Sequence, residues 1–207
     1  MPLSPQTTRP LFEKIFGADW ENLPPVLQKH YAIRPFSHDS VTAEGTLDVI
    51  ISPAMAILAR LTGMLVADSG KNIPVFVTYR SCQKNVFRLE RRFHFPDKPP
   101  VSFHSTMEPI GENKLVEFMR FGIGWKLSYD WDGEKISLRH QGYVWRVLGQ
   151  LIPIPLSFLI GRGHAEEFAL DESSFRMWTH ARHPLFGVTF GYAGEFRITE
   201  VSCNNPF

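Results

Sequence analysis

Cysteine is nearly absent: Cys82 and Cys203 are the only two among 207 residues, far apart and outside any Cys-x-x-Cys spacing. This excludes a disulfide-dense scaffold and a cysteine-rich zinc site, and leaves one long-range disulfide or, more simply, two reduced thiols. Charge of one sign does not accumulate either. Lys and Arg number 22 against 21 Asp and Glu, a formal net charge of +1, so no global field steers the chain toward nucleic acid or an anionic membrane. Long apolar runs are also missing. The longest, Leu151–Ile160, holds Pro153 and Pro155 and is well short of the roughly 20 residues of a membrane-spanning helix. Met1–Arg9 is polar and carries no apolar signal core, which predicts a flexible N-terminal segment on a cytoplasmic protein. Gly161-Arg162-Gly163 is too short for a phosphate loop and is not followed by Lys-Ser/Thr. His180 and His183 have no nearby acidic partner at ligand spacing, so neither a metal nor a cofactor is expected. No catalytic signature remains.

Phenylalanine, in contrast, is abundant, with 17 residues in a chain that is 43% apolar. A Phe-rich chain built of strands either packs its sheet densely or lines a cavity with rings. The clearest strand pattern begins at Leu115. Leu115, Met119, Phe121, Ile123, Trp125, Leu127, Tyr129 and Trp131 recur at every second position, with Glu117 the one interruption. This period predicts one long strand folded back at Asp132-Gly133 onto a second that runs to Val147. A two-residue turn there sets Tyr129 against Ile136, Leu127 against Leu138, Trp125 against His140, Phe121 against Val144 and Met119 against Arg146.

Earlier in the chain, Pro10 opens a short helix with Leu11, Phe12, Ile15 and Phe16 on one face, ended by Gly17. Pro24-Pro25 starts another helical turn carrying Val26, Leu27 and His30. A strand over Thr42–Ile51 leads into Ser52-Pro53, a cap and first-turn proline for an amphipathic helix reaching about Val66. Strands follow around Val75–Tyr79, Phe87–Phe95 and Val101–Met107. Later, Glu166, Phe168 and Leu170 are set against Phe175, Met177 and Thr179, and the last strand carries Gly187, Gly191 and Gly194. The expectation is one α+β domain over residues 1–207: a strongly curved antiparallel β-sheet, a meander closing into a barrel or half-barrel. It is packed on one main helix, that following Ser52, with short N-terminal helices as lid or buttress.

Charged residues interrupt the apolar faces. Arg91 falls among Phe87, Leu89, Phe93 and Phe95; Glu117 interrupts the central strand; His140 and Arg146 fall on the same face of its partner. Simple turns place Glu117 opposite Met107 and Arg91 opposite Ser105, within arginine's reach of Glu117, and Glu166 joins them from the later strands. An unpaired charge in such a face costs several kcal/mol, so Arg91 and Glu117 are expected to be paired or to reach water or a ligand. A buried ion pair and a polar spot in an aromatic pocket both satisfy that requirement.

Several local patterns together resemble the bacterial domain-of-unknown-function family numbered 4166. They are Phe16-Gly17-Ala18-Asp19-Trp20 with Leu23-Pro24 and His30, Leu89-x-Arg91-x-Phe93, Arg120-Phe121-Gly122, and His183-Pro184-Leu185-Phe186-Gly187 with Tyr192-x-Gly194. Leu89 stands where the resemblance implies an aromatic residue. The resemblance implies the domain boundaries and singles out Arg91, but no activity.

The preferred reading is non-enzymatic binding of an apolar or amphiphilic small molecule in the concavity of the sheet. Arg91, Glu117, His140, Arg146 and Glu166 would orient its polar end, with Phe121 and Trp125 against its body. One alternative is an enzyme acting on a similar ligand through a Glu/His/Arg group. Another is an interaction module that meets a protein or a membrane surface through Leu151–Ile160.

Overall fold

A computed structural model describes residues 9–82 and 84–202. The expected flexible segment, Arg9 apart, and Cys203 of the disulfide option lie outside the described residues. Three short helical pieces come first: α1 (Leu11–Phe16), a 3-10 turn (Gly17–Asn22) and α2 (Pro25–His30). Then come β1 (Ser40–Ile51), α3 (Pro53–Thr62), β2 (Gly70–Cys82), β3 (Lys84–Phe93), β4 (Val101–Gly111), β5 (Lys114–Phe118) and β6 (Ile123–Trp131). The chain ends with β7 (Lys135–Val147), β8 (Gln150–Ile154), β9 (Arg162–Ala169), β10 (Ser174–His183) and β11 (Gly187–Ser202).

Every strand pairs antiparallel with its neighbours, and the sheet closes on itself. β1 to β7 pair in sequence, the first half of β7 (Lys135–Arg139) pairs with β9, and β9, β10 and β11 lead back to β1. The result is a ten-stranded barrel. β8 lies outside the ring, paired to the upper half of β7. Closure removes the unpaired strand edges that a sheet of this size would otherwise expose. The glycines of the last strand contribute to it. A Cβ on Gly194 would lie 1.9 Å from the Thr46 carbonyl oxygen across the β1–β11 pair, so only glycine allows the strands to come this close.

The helices divide the two ends of the barrel differently from the expectation. The faces predicted for α1 and α2 are the buried ones: Leu11, Phe12, Ile15, Phe16, and Val26, Leu27, His30. Phe12 touches Phe87 of β3 and Tyr129 of β6, while His30 touches Tyr79 of β2 and Phe175 of β10. Side chains that reach strands on opposite walls lie inside the ring, so these two helices plug its lower end. α3, expected to be the wrapped helix and to reach Val66, is shorter and stops at Gly63, whose left-handed backbone (φ 62°) ends it. It buries Met55, Ala56 and Ala59 at the upper end and leaves Ile57 and Leu61 exposed.

Two strand expectations also change. The long strand beginning at Leu115 is in fact β5 and β6, folded at a 3-10 turn over Arg120–Gly122 with Phe121 in the left-handed region (φ 60°). The turn after β6 is wider than two residues. Trp131 pairs with Ile136, Tyr129 with Leu138 and Leu127 with His140, because the Asp132 carboxylate accepts from the backbone of Glu134 and Lys135. Each partner moves by two places, and an even shift leaves every side chain on its face. Beyond Leu127 a bulge changes the parity, so Trp125 lies opposite Tyr143 and Arg146 turns to the outer surface.

Candidate functional site

Between the plug and α3 the barrel encloses two adjoining chambers that share Glu117, Trp125, Thr179 and Tyr192 in their walls. The upper, of about 90 Å³, is apolar and is walled by Met55, Ala59, Phe93, Phe103, Met119 and Phe190. The lower, of about 60 Å³, carries the polar groups: Arg91, Glu117, His30, Tyr79, Tyr31 and Glu167.

Arg91 and Glu117 are paired, one of the outcomes open to charges on an apolar face. The Arg91 guanidinium donates to Glu117 Oε1 at 2.9 Å and to Ser105 Oγ at 3.2 Å, and Ser105 itself donates to the same Oε1 at 2.6 Å. Glu117 lies opposite Met107, the predicted register, whereas Arg91 lies opposite Phe103 and Ser105 opposite Leu89. Burial by itself would lower the Arg91 pKa; the Glu117 carboxylate outweighs this and raises it. Among the described residues Glu117 Oε2 has no partner.

Trp125 and His140 are also brought together. The Trp125 indole N–H donates to His140 Nδ1 at 2.8 Å, and His140 Nε2 lies 3.1 Å from Ser157 Oγ. Burial, and then the charge of Arg162, lower the His140 pKa, which keeps the ring a neutral acceptor. The indole lies flat against Gly163: a Cβ there would meet the ring at 2.4 Å. No hydrogen bond joins His140 to Glu117.

The other three expected residues do not reach the interior. Phe121 is exposed on the 3-10 turn at the rim. Arg146 pairs with Glu108 at 2.5 Å and lies over the Phe118 ring on the outer face, the consequence of the bulge. Glu166 pairs with Lys135 at 2.9 Å and His164 at 3.4 Å outside the barrel. Burial would raise its pKa, but those hydrogen bonds hold it below the ordinary value. The β9–β10 register explains the last case. Phe175 pairs with Ala169 and Met177 with Glu167, one residue from the expectation, and an odd slip reverses the faces.

The residue that takes the inner position is Glu167, and sequence reasoning missed it. It accepts from Tyr31 Oη at 2.6 Å. Burial pushes its carboxyl up to about 7, although the Tyr31 bond and the Arg91 charge pull the other way. His30 Nε2 stands 4.0 Å away and 3.0 Å from Tyr79 Oη, and burial lowers its pKa to about 3. A ring that stays neutral makes no ion pair with Glu167, despite the distance. Burial raises the pKa values of Tyr31, Tyr79, Tyr129 and Tyr192. One signal was present in the sequence: Gly163, Ala165 and Ala169 are small residues at alternate positions on the same strand face as Glu167, the face that Trp125 packs against at Gly163. The larger Phe168 and Leu170 suggested the opposite face.

The family model described as "Domain of unknown function (DUF4166)" matches residues 23–196. The chain belongs to the DUF4166 family. The match runs from the end of the 3-10 turn before α2 into β11, so the barrel and half of its plug belong to the family unit. No curated protein is significantly similar to the chain. Among solved structures, that of Rv2717c from M. tuberculosis is similar at 12% identity, covering 89% of this chain and 99% of that one, with a TM-score of 0.43. A structure of dehydratases from type I polyketide synthases has 9% identity, 84% of each chain covered and a TM-score of 0.19. The dehydratase domain of the polyketide PpsC from Mycobacterium tuberculosis has 9% identity, 91% and 84% covered, and a TM-score of 0.20. Among the described residues no group of three or more His, Cys, Asp or Glu is placed to hold a metal ion. No helix there is long and apolar enough to cross a membrane.

Proposed function

We propose that the barrel binds an amphiphilic small molecule, with its apolar body in the upper chamber and its polar end on Glu117. The observation that carries this reading is the floor of the apolar chamber, where a single carboxylate is held by Arg91 and Ser105 through one oxygen only. An apolar enclosure with a few convergent polar groups is the common anatomy of a small-molecule site. The polar end is a neutral hydrogen-bond donor such as a hydroxyl or amide. Arg91 is already neutralised by Glu117, so an anionic head would meet the carboxylate without a free cation. Trp125, fixed by His140 and Gly163, supplies a flat wall for the body.

Native mass spectrometry of the protein purified from its host tests the proposal. A bound small molecule released on denaturation is the expected result. Ala59 lines the upper chamber from the buried face of α3, so Ala59→Leu should fill the space, reduce the bound fraction and leave the melting temperature equal or higher. A wild-type protein of bare chain mass, with no uptake of long-chain alcohols or amides, would overturn the reading.

A further inference from the structure

In an antiparallel meander alternate connections share an end, so α3, the β5–β6 turn, the β7–β8 turn, the segment before β9 and the β10–β11 turn all rim the upper chamber. These connections carry the most exposed large apolar side chains among the described residues. Leu148 is fully exposed, Phe158 85%, Leu185 82% and Leu61 80%, with Phe186 and Phe121 close behind. At the plugged end the comparable residues, Phe36, Leu170 and Val201, are 37%, 43% and 40% exposed. The apolar tips are therefore confined to one end of the barrel.

Cations accompany them. Arg60, Lys98, Arg120, Arg162 and Arg182 lie on or beside the same connections, against Asp68 and Asp97, and Asp68 is shared by Arg60 and Lys98. Arg162 and Arg182 lie directly opposite each other across the β9–β10 pair, both exposed, and neither has a carboxylate partner among the described residues. Like charges facing across a strand pair are destabilising. Their charge also contributes to lowering the pKa of a neighbouring histidine, Arg162 that of His140 and Arg182 that of His180. The position thus calls for an anion from outside the chain.

We propose that this rim docks on an anionic lipid bilayer, the tips at Leu61, Phe158, Leu185 and Phe186 entering the acyl boundary while Arg162 and Arg182 meet lipid phosphates. Charge complementarity favours a bilayer over a protein partner. The apolar residues protrude singly from separate connections with guanidiniums between them, which suits a fluid surface of apolar interior and anionic boundary. The proposal rests on the rim alone and is independent of what fills the chamber beneath it.

Flotation of the full chain with vesicles of phosphatidylcholine, with and without phosphatidylserine, tests it. Binding to the phosphatidylserine vesicles, weakened by salt, is expected. Arg162→Gln with Arg182→Gln should weaken that binding about 30-fold; Phe158→Ser with Leu185→Ser should weaken it about tenfold or more. Both pairs are exposed, so melting temperatures should hold. Ala59→Leu should bind vesicles as wild type does, whether or not the chamber takes a ligand. The proposal is overturned if the wild type floats with neither vesicle, or if neither pair of substitutions changes flotation. It is likewise overturned if the Phe158/Leu185 pair abolishes a concentration-dependent dimer of a protein that ignores vesicles.

Discussion

Arg91, Ser105 and Glu117 come from three adjacent strands, and the charges of the pair are almost wholly removed from water. Breaking a buried pair by removing one partner costs about 3–5 kcal/mol, because the other charge stays behind uncompensated. Arg91→Met should therefore lower unfolding stability by about that amount in urea titrations at neutral pH, while Arg91→Met with Glu117→Gln should recover most of it. The Trp125 position is held by shape as well as by hydrogen bonding. Gly163→Ala should push the indole off the β9 wall and break its bond to His140, since the added Cβ would be 2.4 Å from the ring. A change in the Trp125 fluorescence, identified by its loss in Trp125→Phe, is the measurement.

At the scale of elements, the question is which helix the barrel is built around. The spacing of apolar residues marked α3 as the amphipathic candidate, yet α1 and α2 supply the interior side chains. Phe12 is 2% exposed and stacks among Phe16, Tyr31, Phe87 and Tyr129. Phe12→Ala should cost about 3–5 kcal/mol, the usual range for a buried aromatic truncated in a packed core. Leu61→Ala on the exposed face of α3 should change stability by no more than about 0.5 kcal/mol. Chemical denaturation of the two variants side by side decides which helix the fold depends on.

For the whole molecule, the enclosed interior has consequences for its stability against pH. His30 and Glu167 lie 4.0 Å apart inside the plugged end and titrate far from their ordinary values in opposite ways. Unfolded, His30 takes its proton near 6.5, but folded only near 3, so its contribution to stability rises with pH across that window. Glu167 holds its proton up to about 7 in the fold and loses it near 4.5 when unfolded, so its contribution falls from about pH 4.5 to about 7. The His30 contribution is on the order of 5 kcal/mol and that of Glu167 about 3 kcal/mol, and between about pH 4.5 and 6.5 their opposite slopes offset one another. Glu167→Gln removes the falling limb. Relative to wild type, the variant should gain stability steadily as pH rises from about 4.5 to 7, read from urea midpoints across that range. A constant difference between the two proteins would show that Glu167 does not hold its proton in the fold.

Local order was readable from the residues themselves: proline and glycine positions marked where α1 and α2 begin and where α1 ends, alternation marked most strands, and the isolated Arg91 and Glu117 each required a partner, water or a ligand, because a buried charge cannot stand alone. The family membership was readable from short motifs. What needed the folded chain was parity and closure. The widened turn after Trp131 moved partners by two and changed no face, whereas a bulge between His140 and Tyr143 and a one-residue slip between β9 and β10 sent Arg146 and Glu166 outward and Glu167 inward. A strand's pattern identifies its two faces but not which of them the barrel encloses. That choice, and the choice of helix to enclose, is made only when ten strands share one ring, because the interior admits a fixed volume and α1 and α2 fill its lower end.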